Sequence, residues 1–151
     1  MRAVIVPHAK LEEDMYHKIM VPVHLQMQPM VENALNVATD LATLYGASIT
    51  LVSVTPSVVA TGATTPEQAA DELKEMADAH ARKSGLSVAA HHMTTPVVPA
   101  ELDTMLLKAV DAVKADLVVV ASHEPGRADY ISASHAGRLA AFAKVAVLVV
   151  R

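Results

Sequence analysis

Apolar residues along this chain follow two patterns that take turns. Ile19-Met20-Val21-Pro22-Val23 is a short continuous apolar run ending beside a proline, which predicts a buried strand. Residues 30–45 place Met30, Ala34, Val37, Ala38, Leu41 and Leu44 at three- and four-residue intervals, an amphipathic helix stopped by Gly46. The β-branched stretch 47–54 predicts a second strand, followed by a looser segment with Pro56 and Gly62. Thr65-Pro66-Glu67-Gln68 then starts a helix for a physical reason. Thr65 caps it, Pro66 suits the first helical position, and Gln68 completes a capping box. This helix runs to Ser84 with Gly85 as its left-handed stop, and Asp71, Glu72, Lys74, Glu75 and Asp78 form its solvated face. Residues 86–93 predict a strand, and 99–114 a helix with Leu102, Met105, Leu106, Ala109, Val110 and Val113 on the buried stripe. A fully apolar strand at 117–121, a short helix at 134–143 and a last strand at 145–150 complete the chain.

Alternation of strand and helix at this spacing predicts an α/β domain, a parallel sheet with helices on both faces. The continuous apolar runs at 117–121 and 145–150 agree, because parallel strands are buried on both sides. A length of 151 residues suits one domain with one substantial core. In an open parallel sheet, ligands bind outside the carboxyl ends of the strands, where the strand order reverses. The strand ends Pro22-Val23-His24 and Ala121-Ser122-His123 are therefore expected to share a crevice. A helix beginning near Ser134 would add free backbone N–H groups, an anion-binding feature.

Composition removes several classes of function. With three Tyr, one Phe and no Trp, the core is built from aliphatic residues and Met, and stacking platforms for single-stranded nucleic acid are absent. A formal charge of −4 without long blocks of like charge gives no nucleic-acid-binding tail. The absence of Cys excludes disulfides, thiol catalysis and Cys-ligated zinc. Pro7, His8 and Lys10 interrupt the apolar start, and no apolar run approaches the roughly 20 residues that span a bilayer. The expectation is a soluble, cytoplasmic domain that engages neither nucleic acid nor membrane.

Longer stretches carry a specific resemblance. "MYHKIMVPV" (15–23), "ADLVVVASHEP" and "VAVLVVR" resemble the start and the final third of universal stress proteins, in register over residues 15–151. Residues 1–14 then read as an N-terminal extension. The resemblance implies a single five-stranded, Rossmann-like domain of the adenine nucleotide alpha hydrolase type. It also implies a role in stress response, no catalytic turnover, and a homodimer paired through Val145–Val150. An exposed apolar edge strand would otherwise invite aggregation.

Members that bind ATP carry G-x2-G-x9-G-[ST] after the fourth strand, and a subgroup carries a small residue followed by Ser-His-Arg-Pro. This chain resembles the subgroup through Ala121-Ser122-His123-Glu124-Pro125, Tyr130 and Ala133-Ser134. The implied ligand is ATP or AMP, with no other cofactor. Its base would lie between Pro22-Val23 and Val54, and its phosphates at Ser134, His135 and Ala136. His24, Ala121, Ser122, His123, Gly126, Arg127 and Ala133 complete the expected nucleotide site, with Arg138 nearby. Three departures from the family pattern bear on it. Glu124 sets a carboxylate where Gly or Arg would face phosphate, Ala133 adds a methyl group where glycine allows close approach, and His24 replaces the usual Asp.

The histidines offer a second chemistry. His24, His123 and His135 belong to the segments expected to converge, so they read as a metal site, a pH-sensitive anion site, or polar residues at loop ends. His91-His92 falls in a strand, which points the two rings to opposite faces and reads as surface chemistry. Ser122 beside His123 is adjacency, not a triad, and there is no G-x-S-x-G elbow, Walker A loop or dinucleotide fingerprint. The readings in order are a nucleotide-responsive module, a dimeric interaction protein that has lost nucleotide and serves an unknown protein partner, and a phosphate-ester hydrolase using the histidines.

Overall fold

The computed structural model describes residues 15–25, 28–122 and 133–151. In chain order these form β1 (Lys18–Pro22), α1 (Gln28–Tyr45), β2 (Ser48–Pro56), α2 (Pro66–Ser84), β3 (Val88–Thr95), α3 (Val98–Ala112), β4 (Leu117–Ala121), α4 (Ala133–Phe142) and β5 (Ala146–Val150). The start of α2 forms as its residues require. Thr65 Oγ1 accepts from the Gln68 N–H at 3.2 Å, and the Thr65 N–H donates to Gln68 Oε1 at 2.9 Å. At the other end Gly85 takes φ 73°, which costs glycine nothing.

The strands are ordered β3-β2-β1-β4-β5, and every ladder is parallel. From β1 the chain steps outward through β2 to β3, then crosses back to β4 and on to β5. Right-handed crossovers therefore place α1 and α2 on one face and α3 and α4 on the other. Strand side chains alternate between the two cores. Ile19, Val21, Ile49, Leu51 and Val119 meet Ala34, Ala38, Leu73 and Ala77 on the first face. Met20, Val52, Val118 and Val120 meet Leu102, Leu106, Ala109 and Leu139 on the second. In α1 the small residues Ala34, Ala38 and Ala42 are fully buried, while Leu44 of the expected stripe is exposed. Alanine at every fourth position lets the backbone approach the sheet, and that sets the helix's rotation.

The two ends of the sheet are built differently. At the amino end, Asp116 clamps β4 to β1. Its carboxylate accepts from the N–H groups of His17 (2.8 Å) and Lys18 (3.0 Å), and its own N–H donates to the Lys18 carbonyl at 3.0 Å. The β1–β4 ladder then registers Ile19 with Leu117 and Met20 with Val118, and stops before either strand ends. Lys18, Met20 and Pro22 direct their backbone groups toward β4, because these alternate along a strand. Pro22 has no N–H, so the next rung is missing.

Two of the half-buried histidines make stability depend on pH. Thr39 Oγ1 donates to the Leu35 carbonyl at 2.7 Å, so at 2.8 Å from His80 Nε2 it must accept, which fixes a proton on that nitrogen. Burial, then Lys83, lowers the pKa of His80 below 6.5. In β3, His92 lies 2.7 Å from Thr55 Oγ1, and burial with His91 nearby outweighs Glu67 to lower its pKa below 6.5 as well. His91 and His92 do face opposite sides, but both are half-buried, so they are packing residues and not surface chemistry alone. A folded-state pKa below the unfolded value means protonation favours unfolding. The stabilisation is complete above pH 6.5 and lost as pH falls through the folded-state values. Chemical denaturation at pH 7.5 and 5.5 is expected to show this loss, and His80→Asn with His92→Asn to flatten it. An equal loss in the double variant would contradict the assignment.

Candidate functional site

Where β1 and β2 end beneath the start of α2, the structure holds a cavity of about 280 Å3. Its walls are apolar, from Val23, Leu25, Val54, Val59 and Ala69, with His24, Ser53, Thr55, Thr64 and Glu72 supplying polar groups. The Val23 N–H donates to the Val52 carbonyl at 2.7 Å, which carries the β1–β2 pairing one residue past the strand and fixes the cavity floor. Glu72 is exposed and brings a carboxylate to the mouth. Such a space accepts a flat, largely apolar ring with a few polar edge atoms. It lies just below the usual range for small-molecule sites, about 300–1,000 Å3.

The expected site residues that the structure describes sort into three groups. Val23, His24 and Val54 line this cavity together. Pro22 is buried at the end of β1, and Ala121 and Ser122 end β4, the next strand across the switch point. The Ser122 N–H donates to the Val150 carbonyl at 2.8 Å, so β5 already occupies it. Ala133 and Ser134 open α4, whose first-turn N–H groups have no partner within the helix. Ala136 is buried in the second core. His123, Gly126 and Arg127 lie outside the described residues, as do Glu124, Pro125, Tyr130 and the extension 1–14.

The structure pairs two side chains of α4 with one carboxylate. His135 Nδ1 lies 2.5 Å from Asp103 Oδ1, and Arg138 Nε lies 3.2 Å from Asp103 Oδ2. Asp103 on α3 thus holds the side chains of His135 and Arg138, two of the four α4 residues that the sequence set beside an anion. His24 instead belongs to the cavity wall beside β2. Among the described residues no cluster of three metal-ligating side chains forms. The sequence signal for Asp103 was slight: a carboxylate between the stripe residues Leu102 and Leu106, where a helix borders its neighbour. Ser53 and Glu72 were missed as cavity residues, because one sits in a strand and the other reads as part of a solvated face.

No helix among the described residues is long and apolar enough to cross a membrane. No curated protein sequence matches this chain significantly. Solved structures are similar to it in fold. A universal stress protein family member from Burkholderia pseudomallei superposes with a TM-score of 0.66 at 21% identity, over 91% of this chain and 97% of that one. The universal stress protein from Archaeoglobus fulgidus in complex with dAMP gives 0.64 at 22% identity, over 90% and 98%. A family protein from Arabidopsis thaliana with AMP bound gives 0.63 at 17% identity, over 89% and 90%. The model of the universal stress protein family matches residues 15–151, all five strands and four helices included. With its order β3-β2-β1-β4-β5, this chain belongs to that family.

Proposed function

We propose that this chain is a cytoplasmic stress-response module that binds an adenine nucleotide, AMP or ATP, without turning it over. One observation carries the reading: the apolar cavity at the carboxyl ends of β1 and β2, beside the switch point. The dAMP and AMP held by the Archaeoglobus and Arabidopsis proteins support an adenine nucleotide as its occupant. The base is assigned between Val23 and Val54. The phosphate is assigned to the free N–H groups of the first turn of α4, the feature that helix N-termini offer to anions.

The replacement of the family's loop glycines by Glu124 and Ala133 weakens any grip on β- and γ-phosphates. AMP and ATP are therefore expected to bind within about threefold of each other, since the cavity and not the phosphate chain supplies the affinity. Calorimetric titration with AMP, ATP and inorganic phosphate tests this. Binding of both nucleotides and not of phosphate is expected, whereas no heat from either nucleotide at millimolar concentration would contradict it.

The interaction reading rests on a different observation and is compatible with the first. β5 is an edge strand whose Leu148 is 39% exposed, and Phe142 at the end of α4 is 65% exposed. We assign this edge to antiparallel pairing with a second copy across a two-fold axis.

A further inference from the structure

We propose that Ser53 reads the edge of the bound base, donating its hydroxyl proton to a ring nitrogen of a purine. The inference rests on the nucleotide reading above and assigns it a specificity-determining residue. Ser53 is 2% exposed and lines the cavity, and its Oγ is buried with no hydrogen-bond partner among the described residues. Burying a hydroxyl without a partner opposes folding, and buried polar groups are nearly always matched. The neighbouring strand explains why this one is not. His92 lies abreast of Ser53 in the ladder, but its Nε2 is engaged by Thr55 Oγ1 at 2.7 Å. The first core, into which Ile49 and Leu51 of the same strand face, is aliphatic.

The part of a nucleotide that suits this depth is the base. Val23 and Ala69 are buried walls that exclude water from a ring's faces and leave its edge to the hydroxyl. A sugar or phosphate would bring several polar groups to one partner and leave the rest unmatched. A purine brings a single acceptor to Ser53 and leaves its remaining polar atoms to the polar groups of the same lining, Thr64 and Glu72 among them.

The test combines a conservative substitution with a set of ligands. Adenosine and its 1-deaza, 3-deaza and 7-deaza analogues are titrated into the wild type and Ser53→Ala, and thermal midpoints are recorded without ligand. In the wild type, one deaza analogue is expected to bind about two- to tenfold more weakly than adenosine. Ser53→Ala should weaken adenosine by the same factor and leave that analogue unaffected. It should also raise the midpoint of the ligand-free protein by about 2–6 °C, because an unmatched hydroxyl is removed from the interior. A hydroxyl already matched within the fold would lower the midpoint or leave it alone, and that result overturns the inference. So does equal affinity of the wild type for adenosine and all three analogues, a comparison that needs no variant. A wild type that binds no adenosine overturns the nucleotide reading itself; unchanged adenosine affinity in the variant overturns only the role of Ser53.

Discussion

Ala69→Leu is expected to lower affinity for AMP by about 100-fold while leaving the protein at least as stable as before. Ala69 lies in the first turn of α2, 3% exposed, and forms part of the cavity wall. Three added carbons have nowhere to go except into a space of about 280 Å3, where they compete directly with the base. Loss of that fit at about 1.4 kcal/mol per factor of ten amounts to roughly 3 kcal/mol. Filling a void adds contacts, and leucine is a good helix former, so the midpoint should hold or rise. Calorimetry and thermal melts on the same preparation check both halves. Unchanged AMP affinity in a folded variant would place the base elsewhere.

Leu148→Asp is expected to convert a dimer to a monomer. Leu148 is the central residue of β5, and its exposed side chain lies at or beside the proposed two-fold axis. An isologous interface carries each substitution twice. Full burial of a leucine is worth about 1.5–3 kcal/mol and about two fifths of Leu148 remains to be covered, so two losses weaken association by about 10- to 50-fold before the carboxylates repel one another. Sedimentation at micromolar concentration should show a dimer for the wild type and a monomer for the variant. Nucleotide binding should persist, since the cavity lies at β1 and β2 and two ladders separate β2 from β4 on the way to β5. A monomeric wild type, or a variant that still dimerises, would contradict the assignment of this edge.

The fold was legible because its signals are local. The capping box at Thr65 and the stop at Gly85 are matters of a few bonds between near neighbours, and they form as written. Elements ended elsewhere where the determinant was not in the residue type. α1 and α3 close with the same turn: the Ala47 N–H donates to the Ala42 carbonyl, and the Ala115 N–H to the Val110 carbonyl, both at 3.0 Å. The first turn uses Gly46 at φ 66°, which the sequence announces; the second uses Lys114 at φ 55°, which it does not. The expected helix to residue 114 therefore stops at Ala112. β3 is shifted two residues forward, to Val88–Thr95, because pairing with β2 extends to Pro56 and the buried Thr95 hydroxyl finds Glu101.

The candidate site was half legible. Strand ends are one-dimensional features, so Val23, His24 and Val54 could be named from the chain alone. Which side chain answers which is a tertiary matter. Asp103 lies 32 residues from His135, and nothing local says that it holds that ring. Ser53 reads as one more small polar residue of a strand until the walls around it are seen.

Amide chemical shifts under AMP titration show whether an adenine nucleotide enters the cavity between Val23 and Val54. Saturable changes are predicted at Val23, His24, Ser53, Val54, Thr55 and Ala69, with a second group at Ser134 and His135 where α4 begins. Saturable changes centred instead on the groove between α1 and α2, around Leu35, Met76 and His80, would contradict that placement, as would a spectrum that AMP leaves unmoved.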